Sequence, residues 1–153
     1  MKKKILLGLL LAFLLIQLFR PQKNKSEVKQ VNDISAVYQI PKETGQLLQT
    51  SCYDCHSNNT NYPWYAYIQP VAWWLNDHIV EGKEELNFSE FGTYSLKKQA
   101  HKLDELAELV ASGDMPLSSY TIIHGNAKLS DAQKKQLTDW ANSLKMEIEA
   151  KVK

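Results

Sequence analysis

The stretch "SCYDCHSN" at residues 51–58 constrains this chain more than any other feature. It holds both cysteines of the sequence, Cys52 and Cys55, with His56 directly after the second. Four chemistries use such a cluster. A redox dithiol wants Cys-x-x-Cys at a helix start in a strand–helix–strand setting, whereas the flanking pattern here is helical. Zinc needs four ligands, so His78, His101 or His124 would have to join, and none brings a second ligand at close spacing. A disulfide across so short a loop is strained and adds little stability. Covalent haem uses every residue. Two thiols add across the vinyl groups as thioethers, and the three-residue spacing puts both sulfurs on one side of a helical turn. The adjacent histidine then ligates the iron, and its other ring nitrogen should donate to a carbonyl that sets the ring orientation.

The N-terminus is chemically distinct. "MKKKILLGLLLAFLLIQLFRP" places three lysines before an apolar run from Ile5 to Phe19, which is the pattern of a secretory signal. No small-x-small cleavage site follows, which favours an uncleaved anchor over a cleaved peptide. The run is short for a spanning helix, which needs about 20 apolar residues, although Lys4 and Arg20 can snorkel. The expected division is a signal anchor or signal peptide over 1–20, a polar tether over 21–40 and a haem c-binding domain over 41–153. Lys2, Lys3 and Lys4 stay cytoplasmic and the remainder is exported, onto the periplasmic side of the inner membrane. Beyond residue 26 the chain has 12 basic and 17 acidic residues, a net charge of −5. An acidic exported domain argues against nucleic acid as a partner.

Beyond residue 40 the periodic segments are helical, with loops between them and no convincing strand. "PKETGQLLQTSCYDCH" runs toward the cysteines, and "PVAWWLNDHIVEG" opens at Pro70 with Gly82 as its expected stop. Ala72, Leu75 and Ile79 share one of its faces. Ser95 caps a third helix with the stripe Leu96, Ala100, Leu103, Ala107 and Val110, ending at Gly113. A long loop follows. Ser130 and Gln133 form a capping box for the last helix, whose stripe is Leu137, Trp140, Ala141, Leu144 and Ile148. The fold class is all-α, a small cytochrome c-like domain around one haem. A resemblance to c-type cytochromes, whose first and last helices cross closely, implies that Gly45 packs against Trp140.

Iron needs a sixth ligand or an open position. Met115, in the loop sequence "GDMP", is the expected ligand, with Pro116 stiffening the chain behind it. His78 reads as a hydrogen-bonded core histidine, His101 as solvated, and His124 as a propionate partner or loop hydrogen bond. Tyr62, Trp64 and Trp74, with Trp73 and Tyr65, are expected to line the haem pocket. No nucleophile, phosphate loop or acid–base constellation is present.

The segments "SCYDCHSNNTNYPWYAYIQPVAWWLNDHIVEGKEELNFSEF", "GDMPLSSYTIIHGNAKLS" and "LTDWANSL" together resemble the bacterial CxxCH haem-binding-domain proteins common in Bacteroidota. The resemblance covers about residues 40–145 and implies an exported, monohaem, c-type cytochrome-like module. The function this points to is electron transfer between redox partner proteins at the membrane. An open distal site would instead make the module a gas or redox sensor, or a small peroxidase.

Overall fold

Apolar stripes at helical spacing build the core of this protein, whose computed structural model describes residues 1–152. Eight helices follow in order: α1 (Lys2–Ile16), α2 (Ile34–Val37), α3 (Lys42–Ser51), α4 (Tyr53–His56), α5 (Val71–Glu85), α6 (Leu96–Ser112), α7 (Ser118–Thr121) and α8 (Asp131–Ala150). Tight 3₁₀ turns occur at Trp64–Tyr67, Phe88–Thr93 and Gly125–Ala127. Among the described residues there is no strand.

The most extensive packing is between α6 and α8. Leu103, Ala107 and Val110 of α6 meet a core that includes Leu137, Ala141, Leu144 and Ile148 of α8. Each fully buried leucine or isoleucine contributes about 1.5–3 kcal/mol. The ends of both helices follow from their sequence. The Ser95 hydroxyl accepts from Lys98 N at 3.3 Å, and Gly113 at φ 86° takes the left-handed turn that a side chain disfavours. Ser130 and Gln133 form the expected capping box.

Three expectations are corrected. Helix α5 does not stop at Gly82 but continues to Glu85, because the glycine faces a neighbour that a side chain would obstruct. A Cβ on Gly82 would lie 3.1 Å from the Cys55 carbonyl oxygen and 3.2 Å from Cys55 Cβ. The close helix approach expected of Gly45 therefore occurs at Gly82. A Cβ on Gly45 would meet only Ile40 Cγ2, at 3.9 Å, so Gly45 does not pack against Trp140. Helices α3 and α8 touch elsewhere, where Gln136 Nε2 donates to Thr44 Oγ1 at 3.2 Å.

The segment 21–40 lies along the domain rather than hanging from it. Asn24 Nδ2 donates to the Ser57 carbonyl at 2.7 Å and to Thr60 Oγ1 at 2.9 Å. Lys83 donates to Asn24 Oδ1 at 2.7 Å. Ile34 is fully buried in the core, and Asp33 accepts from the Tyr53 hydroxyl at 3.0 Å. A short polar segment with several side-chain amides can satisfy loop carbonyls, and here it does so for the loop after His56. Among the described residues no helix is long and apolar enough to cross a membrane. Helix α1 has 15 residues, about 22 Å at 1.5 Å per residue.

Candidate functional site

The site begins with a break of one residue. Cys52 takes φ −129°, ψ −42° between α3 and α4, yet the ladder continues across it. Cys52 N donates to Leu48 O at 2.9 Å, and His56 N donates to Cys52 O at 3.0 Å. Cys52, Cys55 and His56 thus occupy one tight turn, and neither cysteine is in a disulfide.

That turn forms part of the wall of a cavity of about 590 Å³, within the range of small-molecule and cofactor sites, about 300–1,000 Å³. Helix α5 supplies Gly82 and His78, α6 supplies Leu106, Leu109 and Val110, and the loop after α6 supplies Met115, Pro116 and Leu117. Cys52, Cys55, His56 and Met115, separated by up to 63 residues in sequence, therefore line one space.

His56 is oriented by the end of α5. A helix terminus leaves carbonyls without intrahelical partners, and the Leu86 carbonyl, at the C-terminal cap of α5, lies 2.9 Å from His56 Nδ1. A carbonyl only accepts, so Nδ1 carries the proton and the neutral ring keeps its lone pair on Nε2. Burial pushes the His56 pKa below the usual histidine value, against smaller opposing effects of the Leu86 and Gly82 backbone and of Glu85. The ring is thus neutral and ready to ligate. Phe88 packs edge-on to it, with centroids 6.3 Å apart.

Both thiols are protonated at neutral pH. Burial, with a smaller effect of Cys55, pushes Cys52 up to about 12. Burial and the neighbouring Asp54 push Cys55 up to about 11. Zinc requires thiolates, and among the described residues no three His, Cys, Asp or Glu side chains converge to hold a metal ion. This pattern fits neutral thiols that add across carbon–carbon double bonds better than it fits a zinc site.

The other histidines separate clearly. His78 lines the cavity, and its Nδ1 donates to the Trp74 carbonyl at 2.9 Å, which leaves its Nε2 as an acceptor. His124 bonds the Tyr65 hydroxyl through Nε2 and stacks on Tyr120 at 4.3 Å, outside the cavity lining. His101 is solvent-exposed and pairs with Glu105 at 3.2 Å.

The aromatic residues expected around the cofactor are not in the lining. Trp64 is 75% exposed. Tyr62 turns its hydroxyl to the Asn24 backbone N–H at 2.7 Å, and Trp74 is exposed and tilts against His78. Their places are taken by Leu106, Leu109, Phe88 and Tyr120. Sequence reading missed three further residues. The Tyr120 hydroxyl donates to Asp54 Oδ2 at 2.7 Å, joining the loop that carries Met115 to the turn that carries the cysteines. Lys102 bridges Glu105 at 2.7 Å and Glu85 at 3.2 Å at the cavity wall, and Glu105 chiefly holds it above the usual lysine range. Gly82 is the third. Of the three only Gly82 had a sequence signal, as a glycine within a helical pattern.

A small helical domain in which an oriented histidine and a methionine both line an apolar cavity defines a class: helical proteins that hold a prosthetic group between packed helices. A family model for a haem-binding domain matches residues 11–143, and the chain belongs to that family. Its cofactor is accordingly a haem. No curated protein and no solved structure matches the chain. The residues present fit a haem: the cavity is large and mostly apolar, and the neutral His56 keeps Nε2 for a metal.

Proposed function

We propose that this protein is an exported, monohaem, c-type cytochrome-like electron carrier. The observation that carries the reading is the shared wall: Cys52, Cys55, His56 and Met115 face one cavity, and His56 is held through Nδ1 by the Leu86 carbonyl. Cys52 and Cys55 would hold the haem as thioethers, each thiol proton passing to a vinyl carbon as the sulfur–carbon bond forms. His56 and Met115 would ligate the iron. The bound haem supplies one-electron chemistry. What the chain itself does is exclude water with Leu106, Leu109 and Phe88 and fix the His56 ring through the Leu86 carbonyl. It also presents an acidic rim of Glu81, Glu85, Glu105 and Glu108 around Lys102. That rim fits a redox partner with a basic face. With the iron held by both His56 and Met115, the haem would serve electron transfer rather than ligand activation. The proposed location is the periplasmic side of the inner membrane, with α1 as signal or anchor.

The second reading, a gas or redox sensor or a small peroxidase, is favoured by His78. It also lines the cavity, with Nδ1 bound to a carbonyl and Nε2 left as an acceptor. The test is spectroscopic and mass-based, on protein matured outside the cytoplasm. The denatured chain should carry the mass of one haem, and Cys52→Ala/Cys55→Ala should not. The ferric form should show the weak red sulfur-to-iron charge-transfer band, which Met115→Ala removes while gaining CO binding when reduced. CO binding by the unaltered ferrous protein favours the second reading. Haem extractable from the native protein by acidic acetone rules out covalent attachment.

A further inference from the structure

The end of α1 and the start of α5 are joined by a built junction. Gln69 N donates to Gln17 Oε1 at 2.9 Å, and Gln17 Nε2 donates to the Gln69 carbonyl at 3.3 Å. The Phe19 carbonyl accepts twice, from Gln69 Nε2 at 2.8 Å and from Trp73 Nε1 at 2.7 Å. Gln69 is almost wholly buried. Lys23 Nζ donates to the Tyr67 hydroxyl at 2.9 Å and lies 4.1 Å from that ring's centroid. Polar groups at this junction are thus satisfied within the protein.

The apolar side chains beside these bonds have the opposite character. Leu18, Phe19, Ile68, Val71 and Trp73 are all exposed, Leu18 by 76% and Phe19 by 68%. Helix α1, directly before them, buries no side chain. Its length of about 22 Å falls roughly 8 Å short of a hydrocarbon core of about 30 Å. An apolar helix too short to span is accommodated by local thinning of the bilayer, which brings the interface to the surface flanking the helix. Trp and Tyr with apolar bodies and satisfied polar tips, beside Lys and Arg, are the side chains that settle at that depth. Arg20 and Lys23 occupy the matching positions here.

We propose that Leu18, Phe19, Ile68, Val71 and Trp73 form a membrane-docking face, seated in the interfacial region of a lipid bilayer whose hydrocarbon takes α1. The proposal rests on α1 entering the membrane and is independent of the haem reading. It changes what the N-terminal segment does. A flexible tether would let the domain tumble, whereas this junction fixes its orientation. Helix α5 carries Trp73 near one end and Gly82, against Cys55, toward the other. Nine residues of helix hold the site about 14 Å from the docking face.

The full chain in phosphatidylcholine–phosphatidylglycerol liposomes provides the test, with flotation for binding and hydroxyl-radical footprinting read by mass spectrometry. Val71 sits exposed in the first turn of α5, where an acidic residue suits the helix, so Val71→Glu should fold and still float. The expected result is that Trp73 and Phe19 in the unaltered chain are labelled at least fivefold less than in floating Val71→Glu. Exposed Ile122 should be labelled equally in both. Equal labelling of Trp73 in the two proteins overturns the docking face while leaving α1 insertion intact. A chain that fails to float overturns both. Protection lost on dilution to about one chain per vesicle means that a second copy covers the face, which also overturns the proposal.

Discussion

Gly82 and Gly45 are both helix glycines, and their surroundings assign them opposite roles. The nearest atom to a Gly45 Cβ is a flexible methyl at 3.9 Å, whereas a Gly82 Cβ would press on the Cys55 backbone at 3.1 Å. Gly45→Ala should therefore gain up to ~1 kcal/mol from helix propensity. Gly82→Ala should lose about 1–3 kcal/mol by overpacking and lower the yield of haem-loaded protein, both readable by urea titration and absorbance. The cysteines make a second prediction at this scale. In the haem-free chain, alkylation of Cys52 and Cys55 by iodoacetamide should be at least tenfold slower at pH 7.5 than for an exposed thiol. The rate should climb as pH rises toward about 11 for Cys55 and about 12 for Cys52, because only the thiolate reacts. A plateau near pH 9 would show that the thiols are not enclosed as described.

At the scale of elements, the site is a junction of pieces held by polar bonds as much as by core packing. Helix α4 has only one turn, too short to be stable on its own. It is held by Gly82 of α5 on one side, by Tyr53 stacked on Phe88 at 5.1 Å, and by the Asn24 strap behind the following loop. Asn24→Ala removes the donor to the Ser57 carbonyl and to Thr60 and should cost about 1–3 kcal/mol, with little change to the isolated α6–α8 packing. Hydrogen exchange should localise the loss to residues 54–62. Tyr120→Phe cuts the bond to Asp54 that ties the Met115 loop to the cysteine turn. The sulfur-to-iron band should then be lost at lower denaturant concentration than global unfolding. In the unaltered protein the two transitions should coincide.

Over the whole molecule, the core and the cofactor site share a wall. The core that Leu103, Leu137 and Ile148 close also contains Phe88, Leu106 and Val110, and these three line the cavity of about 590 Å³, a space that a folded chain must fill. A cofactor bound by the native state alone stabilises it. The Cys52→Ala/Cys55→Ala protein should therefore keep its helical circular dichroism but melt well below the haem-loaded protein, by several degrees for each kcal/mol lost, on the order of 2–8 °C. Equal melting temperatures would mean that the cavity does not depend on the cofactor.

Much of the fold was legible in the residues themselves. Helices α6 and α8 carry unbroken apolar stripes and side-chain caps, which are local properties of contiguous sequence. That Cys52, Cys55 and His56 share one tight turn was legible for the same reason, since their spacing falls within five residues. Even the demand for a carbonyl on the second histidine nitrogen follows from the chemistry of ligation. Which carbonyl meets it does not. Leu86 is 30 residues away, and it is placed by the point where α5 ends, a point that Gly82 seemed to mark and that packing against Cys55 moved. Tyr62, Trp64 and Trp74 read as pocket walls because aromatic composition carries no direction. Only the packed chain turns them toward Asn24, solvent and His78, and brings Tyr120 and Leu109 inward instead. The strap at Asn24 was invisible for the same reason. A side-chain amide finds its carbonyls through the meeting of distant segments, and those meetings are decided by the energy of the assembled fold rather than by any local pattern.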